Sequence, residues 1–280
     1  MARIGLALGG GGIVGSAHIG VLSALEEAGI QIDCIAGCSA GAIVAALYAY
    51  GYSPKEMMQI VPKISKRYLD YDSSTFLKKL INRNTQVLGL VKGKKLRNLI
   101  AELTNGAKIA DVKMPIALLG VDLKQARQVI FTAQSLANCR EEDTISDIAL
   151  ADAVQASFSI PVLFKPVIYK ERVLVDGGLM NNCPIATAKS MGADKVIAVD
   201  LIFAEPTSKP FSSLLSILMR TISINLFVQE KQLMRDADLV LRPELHSIGL
   251  LDFTKMQTCM EAGYECARQQ MKEIKEIIAN

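Results

Sequence analysis

Two glycine-rich motifs near the start of the chain constrain its fold more than any other feature. The first is LGGGGIVG at residues 8–15 and the second is GCSAG at residues 37–41, and each follows an apolar segment. The second motif has the G-x-S-x-G spacing of a strand that turns sharply into a helix and exposes a serine. Glycine is favoured beside such a turn because the backbone passes close to itself there. The two motifs together indicate a nucleophile at Ser39 and a run of free backbone N–H groups suited to an oxyanion hole.

The order of apolar segments and helix signals predicts an α/β fold around a parallel sheet. Strands are expected at residues 3–8, 34–37, 116–123, 128–132, 172–175, 195–201 and 239–245. Helices are expected at residues 15–28, 40–50, 146–155 (capped by Ser146), 185–191, 211–234 and 254–278. The strand–helix–strand order of the first fifty residues implies crossover connections between parallel strands. The chain has 280 residues, half of them apolar, and shows no repeat or linker, which favours a single domain.

Composition narrows the classes of function. The net charge of +3 gives no reason to expect nucleic acid as a partner. The charge is nevertheless uneven, because residues 55–97 hold eleven Lys or Arg and three acidic residues. Six scattered cysteines lack C-x-x-C spacing, so no zinc site, disulfide framework or cofactor is expected. The sequence shows no leader, and its most apolar window, residues 35–50, is too short to span a membrane, so a cytoplasmic location is expected.

The general base that would activate Ser39 is harder to find. The chain contains only two histidines, His18 and His246, and a histidine inside a helix is more often packed in the core than catalytic. Asp176 ends an apolar strand and precedes two glycines, which is also the sequence of an ordinary Asp-Gly turn. Asp122 and Asp200 also end strands, and position alone does not rank the three acids.

The glycine motif has a second interpretation. Residues 10–15 match the G-x-G-x-x-G fingerprint of dinucleotide-binding domains, between a strand and a helix. That fingerprint requires an acidic residue at the end of the second strand. The only candidate, Asp33, begins that strand, so a nucleotide site is disfavoured.

Several ordered blocks together resemble the patatin-like phospholipase family, and in particular its bacterial branch related to the neuropathy target esterase domain. The likeness covers most of residues 3–203. Its blocks are GGGIVG at 10–15, AHIGVL at 17–22, GCSAG at 37–41, ASFSIPVLF at 156–164 and DGGLMNNCP at 176–184. Blocks in this order are far more specific than any one of them.

The resemblance implies a catalytic machinery without histidine. By that likeness Ser39 is the nucleophile, Asp176 is the proton acceptor, and the backbone amides of Gly10, Gly11 and Gly12 form the oxyanion hole. It also implies a three-layer sandwich, with a mostly parallel central sheet and helices on both faces. The expected reaction is hydrolysis of lipid acyl esters through an acyl-enzyme, of the phospholipase A, lysophospholipase or carboxylesterase type.

The expected organisation is one hydrolase domain over residues 1–280. It comprises a core at about 3–203, a basic helical cap at about 52–108 and a C-terminal helical or lid region at about 206–280.

One departure from the family pattern is Val14, where an Arg or Lys is usual. This departure puts the catalytic rate and the head-group preference in question. The backbone N–H donors of the glycine motif do not depend on that side chain.

Two surfaces are candidates for contact with lipid. The apolar stretch 211–234 carries four side chains at helical spacing that could line an acyl channel, rest on a membrane or pack on the core: Leu214, Leu215, Leu218 and Ile222. The basic run at residues 92–97 could meet an anionic membrane or be a solvated helix start. The sequence therefore predicts a lipid or acyl-ester substrate and peripheral contact with an anionic membrane surface.

Two other classes of protein stay open at this point. Malonyl-type acyltransferases share a serine elbow, but they place a histidine before the serine, where this chain has Cys38. A catalytically weak member of the family could instead bind lipid as a regulatory partner. Val14 favours that alternative, and the intact Ser39, glycine turn and Asp176 oppose it.

Overall fold

Strand β1, Ile4–Leu8, lies inside the sheet between two other strands, and all five of its residues are therefore buried. The computed structural model describes residues 2–75, 86–137, 139–203, 211–245, 248–249 and 251–279. The other strands are β2 Cys34–Cys38, β3 Ile116–Asp122, β4 Arg127–Phe131, β5 Thr144–Ile145, β6 Val167–Tyr169, β7 Arg172–Asp176, β8 Lys195–Val199 and β9 Leu239–Leu241.

The strands described here form a single nine-stranded sheet. Its order is β5-β4-β3-β2-β1-β8-β9, with β7 pairing with both β3 and β6. The central pairs β1–β2, β1–β8, β2–β3 and β8–β9 are parallel, whereas β4 and β7 run antiparallel to β3. The prediction of a mostly parallel central sheet is confirmed.

Helices cover both faces of the sheet. They are α1 Ala17–Glu27, α2 Ala40–Tyr50, α3 Pro54–Ile60, α4 Lys94–Leu103, α5 Leu150–Phe158, α6 Ile185–Ser190, α7 Leu214–Leu233, α8 Met256–Gln269 and α9 Met271–Ala279. Alternate residues of β1 serve the two layers, as the two-residue period of a strand requires. Leu6 and Leu8 belong to the core shared with α1, α2, α5 and α8, while Ala7 packs with α6 on the opposite face.

Three predicted helices differ from those observed. The helix expected at 15–28 begins as a 3₁₀ turn over Gly12–Ser16 and becomes α-helical at Ala17. The cap expected at Ser146 is wrong: α5 is capped at Ala149, because the N–H of Leu150 and the C=O of Ile148 are bonded to residues 107 and 109. The helix expected at 254–278 is divided at Gln270 into α8 and α9.

The C-terminal helix α8 packs on α1 at very short range. A Cβ at Gly263 would come far inside van der Waals contact with the Ala17 carbonyl oxygen and 2.7 Å from its carbonyl carbon. Only glycine allows the two helix backbones to approach in this way. Helix α7, in the first part of the region expected as a C-terminal lid, contributes Met219, Ile222 and Leu226 to the lining of the cavities described below.

The basic region expected as a cap is described except for residues 76–85. It contains α3, short 3₁₀ turns at Val61–Lys63 and Lys66–Tyr68, and α4. Within this region Lys92 forms an ion pair with buried Asp72 at 3.4 Å, and Asp72 also pairs with Lys165, which lies outside the region. In the part of the chain given above, no helix combines the length and apolar character that crossing a bilayer requires.

Candidate active site

The pairing of β3 with two strands in succession brings Ser39 and Asp176 together. β4 occupies one edge of β3, so β2 and β7 must share the other edge. β2 ends with Cys38 opposite Leu119, and β7 arrives from the other direction with Asp176 opposite Gly120. The residue after β2 is Ser39, so the two strands meet end to end at the candidate nucleophile and its candidate base.

Ser39 lies on a strained turn between β2 and α2. Its φ of 52° and ψ of −118° are unusual for a residue with a side chain and cost about 1–3 kcal/mol. The turn is held by a hydrogen bond from the Ser39 N–H to the Ser157 hydroxyl at 3.0 Å. It is also held by close packing, since a Cβ at Gly41 would lie 2.8 Å from the Gly9 carbonyl oxygen. The hydroxyl of Ser39 therefore sits at the N-terminus of α2, whose dipole favours negative charge there.

Asp176 is a buried carboxylate with two hydrogen-bond donors and with Ser39 close to it. Its Oδ1 accepts from the Gly178 N–H at 2.8 Å and from the Cys38 thiol at 3.8 Å, and its side chain also interacts with the Ser39 hydroxyl. Burial raises the pKa of Asp176 to about 6, and the contacts with Ser39, Gly178 and Cys38 oppose that rise. A carboxylate with this pKa is ionised at neutral pH and is a stronger base than an exposed aspartate.

The glycine motif presents two backbone amides rather than the three predicted. The Gly10 N–H donates to the Asn182 carbonyl at 3.2 Å, so this amide already has an acceptor. The amides of Gly11 and Gly12 lie at the start of a 3₁₀ helix, where backbone N–H groups have no intrahelical partner. No acceptor for these two amides is recorded among the described residues. Both glycines line a small cavity together with Ser39 and Asp176.

The remaining candidate residues serve structural roles where they are described. The ring of His18 is fully buried and donates from Nε2 to the Gly9 carbonyl at 2.7 Å, and burial lowers its pKa to about 4. Asp122 accepts from the N–H groups of Lys124 and Val173, and Asp200 pairs with Arg242 at 2.9 Å. Of the three strand-end acids, Asp176 is therefore the one that shares a cavity with Ser39. His246 lies outside the described residues.

The arrangement does not favour a nucleotide or a metal. The Asp33 carboxylate accepts from the Ile4 N–H at 2.7 Å, at the start of β1, whereas the glycine motif follows the end of that strand. The acid that a dinucleotide site needs is therefore at the opposite end of the sheet. In the residues that the structure describes, no three His, Cys, Asp or Glu side chains are grouped so as to hold a metal ion.

Two cavities meet at Ser39. The larger, of about 430 Å³, is lined mainly by apolar side chains from α2, the basic cap and residues 158–164, and also from α7 and α8. The smaller, of about 60 Å³, contains Asp176 and is roofed by Met219, Ile222 and Leu226 of α7. Asp176 is the only acidic or basic residue among the described residues that line either cavity. The site can therefore hold a long apolar chain beside the serine.

Some side chains that contact the candidate site have no role in the sequence-based prediction. Ser157 and Asn182 lie within the blocks at 156–164 and 176–184, where a resemblance marks the segment but gives these side chains no role. Cys38 was noted only as the residue before the serine. Val14 is buried in the core, and a Cβ at Gly11 would lie 2.8 Å from its Cγ2. The valine thus packs against the backbone of the glycine motif.

Comparison with known sequences identifies a protein family and relatives named after it. Residues 6–189 match the patatin-like phospholipase family. The chain is 27% identical over 289 residues to patatin-like phospholipase domain-containing protein 7 of Rattus norvegicus, covering 94% of this chain and 20% of that protein. It is 30% identical over 296 residues to an uncharacterized NTE family protein of Mycobacterium tuberculosis, covering 96% of this chain and 46% of that protein. The chain thus spans less than half the length of these relatives.

A solved structure shares the fold. Human GIVD cytosolic phospholipase A2 matches with a TM-score of 0.54 at 10% identity, over 99% of this chain and 60% of that chain. At this identity the likeness concerns the arrangement of helices and strands alone.

The raised pKa of Asp176 predicts how its substitution changes stability with pH. The folded protein retains a proton up to about pH 6 that the unfolded chain releases near 3.8, so this contribution to stability is lost as pH rises through about 6. Asn does not ionise, so Asp176→Asn avoids this loss. We therefore expect the unfolding free energy of Asp176→Asn, relative to that of wild type, to rise by about 1–3 kcal/mol between pH ~4 and pH ~8. Urea denaturation at the two pH values measures this difference. Asp147→Asn, at an exposed acid paired with Lys108, is the control and should show no such gain. An Asp176→Asn protein with no pH-dependent gain would contradict the assignment.

Proposed function

Since the chain belongs to the patatin-like phospholipase family, we propose that it is a serine hydrolase that cleaves lipid acyl esters through a Ser39–Asp176 dyad. The observation that carries this proposal is the meeting of Ser39 and buried Asp176 at the junction of two cavities, beside the amides of Gly11 and Gly12, which have no acceptor among the described residues. The proposal needs no histidine between them, because β2 and β7 meet end to end at these two residues and both line the same cavity.

In the first half of the proposed reaction, the Ser39 oxygen attacks the ester carbonyl while its proton passes to Asp176. The developing oxyanion accepts hydrogen bonds from the amides of Gly11 and Gly12. Fixed donors of this kind stabilise the transition state more than the ground state, and losing one typically costs on the order of 10²–10³ in rate. The alcohol then leaves with the proton held by Asp176, and the acyl group remains on Ser39.

In the second half, water replaces the alcohol. Asp176 accepts a proton from the water as it attacks the acyl-enzyme, and the same two amides hold the second oxyanion. The fatty acid departs as Ser39 regains its proton. A base with a pKa near 6 is ionised at neutral pH and still binds a proton tightly enough to assist both halves.

The larger cavity supports a long acyl chain as the specificity element. Its volume of about 430 Å³ lies in the range of small-molecule sites, and apolar residues such as Ile43, Val44 and Leu163 line it. Apart from Asp176, the described residues lining the cavities carry no formal charge. A charged head group therefore has no counter-ion inside and would stay at the surface, which suits phospholipids or lysophospholipids approached from a membrane.

The surroundings of the larger cavity support contact with an anionic membrane. Exposed Lys66, Arg67, Lys95 and Lys255 lie one to three residues from the cavity-lining residues Leu69, Leu96 and Met256. Lys95 also donates to the Arg67 carbonyl at 3.1 Å, so these cations lie close together. Helix α7 adds apolar side chains that face outward, among them Leu214, which is 86% exposed, and Val228, which is 64% exposed. Cations beside exposed apolar side chains favour an anionic lipid surface over a neutral one.

The dyad predicts one reactive serine. We expect a fluorophosphonate probe to add once to wild type and not to Ser39→Ala, because the nucleophile is then absent. Hydrolysis of p-nitrophenyl esters should fall by a factor of at least about 10³ in Ser39→Ala and in Asp176→Asn. Intact mass spectrometry and steady-state assays measure these effects.

Matched controls are Ser23→Ala on α1 and Asp147→Asn on the surface, neither of which lines a cavity. Both should label and turn over like wild type. A folded wild-type protein that neither labels nor hydrolyses esters would favour the regulatory lipid-binding alternative.

The apolar cavity predicts a preference for longer acyl chains. Each buried methylene adds about 0.8 kcal/mol, or roughly fourfold in kcat/KM, until the cavity is filled. Ile43→Trp should fill part of the cavity and shift the preferred substrate from p-nitrophenyl dodecanoate toward the butyrate, whereas Ile43→Val should leave the order unchanged. An unchanged chain-length profile in Ile43→Trp would place the acyl chain elsewhere.

The basic rim predicts salt-dependent vesicle binding. Replacing both Lys95 and Lys255 by Gln should weaken binding to phosphatidylglycerol-containing vesicles roughly thirtyfold, at about 1 kcal/mol per charge. Lys272→Gln, on the exposed surface of α9, is the control. Co-sedimentation at low and high salt measures the effect, and equal binding to neutral phosphatidylcholine vesicles would contradict it.

A further inference from the structure

Helix α7 carries one buried acid that the proposed reaction does not use. Glu230 is only 2% exposed, although the same helix presents Leu214 and Val228 to solvent. Its Oε1 accepts from the Asn182 side-chain amide at 2.6 Å. A buried carboxyl group is costly unless it is satisfied by partners or kept neutral, so its position requires an explanation.

Asn182 holds the glycine motif on two sides. Its backbone carbonyl accepts from the Gly10 N–H at 3.2 Å, and its side-chain Nδ2 reaches the Gly10 carbonyl at 3.5 Å. The same side chain borders the loop after the candidate base, because a Cβ at Gly178 would lie 3.0 Å from Asn182 Oδ1. Asn182 therefore lies between the oxyanion donors and the Asp176 loop, and Glu230 fixes its amide.

The groups that face Glu230 keep it protonated at neutral pH. The Asp200 carboxylate lies beside it, and Asp200 is itself paired with Arg242 at 2.9 Å. Among the described residues, the thiols of Cys183 and Cys38 also lie within electrostatic range, and burial raises the pKa of both well above the ordinary value. Burial and the neighbouring Asp200 raise the pKa of Glu230 to about 9, while Asn182 and Arg242 oppose this rise. Glu230 Oε2 has no hydrogen-bond partner in the described chain, so the Asn182 amide is the partner that holds this carboxyl group.

We propose that Asn182 and Glu230 are positioning residues that couple the docking of helix α7 to the geometry of the oxyanion amides. With α7 in place, Glu230 orients Asn182, Asn182 holds Gly10, and the next two amides point into the cavity. We call the contacts from Glu230 to Asn182 and from Asn182 to Gly10 the clamp. The effect of the clamp on catalysis rests on the proposed function, but the clamp itself is a property of the fold.

The clamp is sensitive to alkaline pH. Below about pH 9 the proton on Glu230 allows two buried carboxyl groups to lie side by side. Above that pH Glu230 becomes charged beside Asp200 and Arg242, and its repulsion from Asp200 loosens α7 and releases Asn182. Activity should therefore fall on the alkaline side because the oxyanion amides lose their position.

The test compares Glu230→Gln, Glu230→Ala and Asn182→Ala, with Lys231→Gln as an exposed control on the same helix turn. Gln reproduces the protonated acid, so Glu230→Gln should keep kcat within about twofold at neutral pH and lose the alkaline decline near pH 9. The two alanine variants should lose about ten- to a hundredfold in kcat with a smaller change in KM, because the displaced amides act on the transition state.

A second readout does not depend on activity. Hydrogen–deuterium exchange of the peptide covering residues 8–18 should speed up in Glu230→Ala and Asn182→Ala and stay at the wild-type level in Glu230→Gln and Lys231→Gln. Unchanged exchange in both alanine variants would overturn the clamp, and so would an alkaline decline that persists in Glu230→Gln. If wild type itself neither labels nor hydrolyses esters, the proposed function fails, while the exchange data still decide whether the clamp exists.

Discussion

The edge of β3 is shared by two strands that run in opposite directions, and the candidate site depends on this backbone pairing. β2 ends opposite Leu119 and β7 ends opposite Gly120, so Ser39 and Asp176 are neighbours because of hydrogen bonds between main chains. A dyad set by sheet register needs no third side chain to bridge a gap. In this way a chain with two histidines can place a buried carboxylate beside a serine, while the one described histidine, His18, serves the packing of α1.

The sequence was sufficient to predict most of the sheet and the sharp turn at Ser39. Apolar runs ended by glycine indicate the central strands, and the G-x-S-x-G spacing predicts the turn at Ser39. Nothing local distinguishes Asp176 from Asp122 or Asp200, because each ends a strand. The antiparallel arrival of β7 decides between them, and strand direction is a long-range property. The same limit explains Gly10, whose amide is occupied by a carbonyl 172 residues away in the chain.

Burial governs the charge state of the ionisable groups around the site. It lowers the pKa of His18 to about 4, raises that of Asp176 to about 6 and raises that of Glu230 to about 9. At neutral pH the first and the last are therefore neutral, and Asp176 alone of these three is charged. A buried charge interacts more strongly with nearby dipoles than an exposed one, because burial reduces screening. The arrangement gives Asp176 the raised pKa that suits its proposed role as base, and it leaves the other two groups as hydrogen-bonding supports.

The contacts that hold the glycine motif in place explain why an apolar residue, Val14, fits at position 14. His18 holds the Gly9 carbonyl, Asn182 holds both polar groups of Gly10, and Val14 packs against Gly11 from the core. Three consecutive residues are thus fixed by two sets of hydrogen bonds and one apolar contact. A cation at position 14 would have to leave this buried place or be desolvated in it, at a cost that the apolar contact avoids. The amides proposed to hold the oxyanion can therefore be positioned without a charged side chain in the motif, provided that Glu230 keeps Asn182 in place.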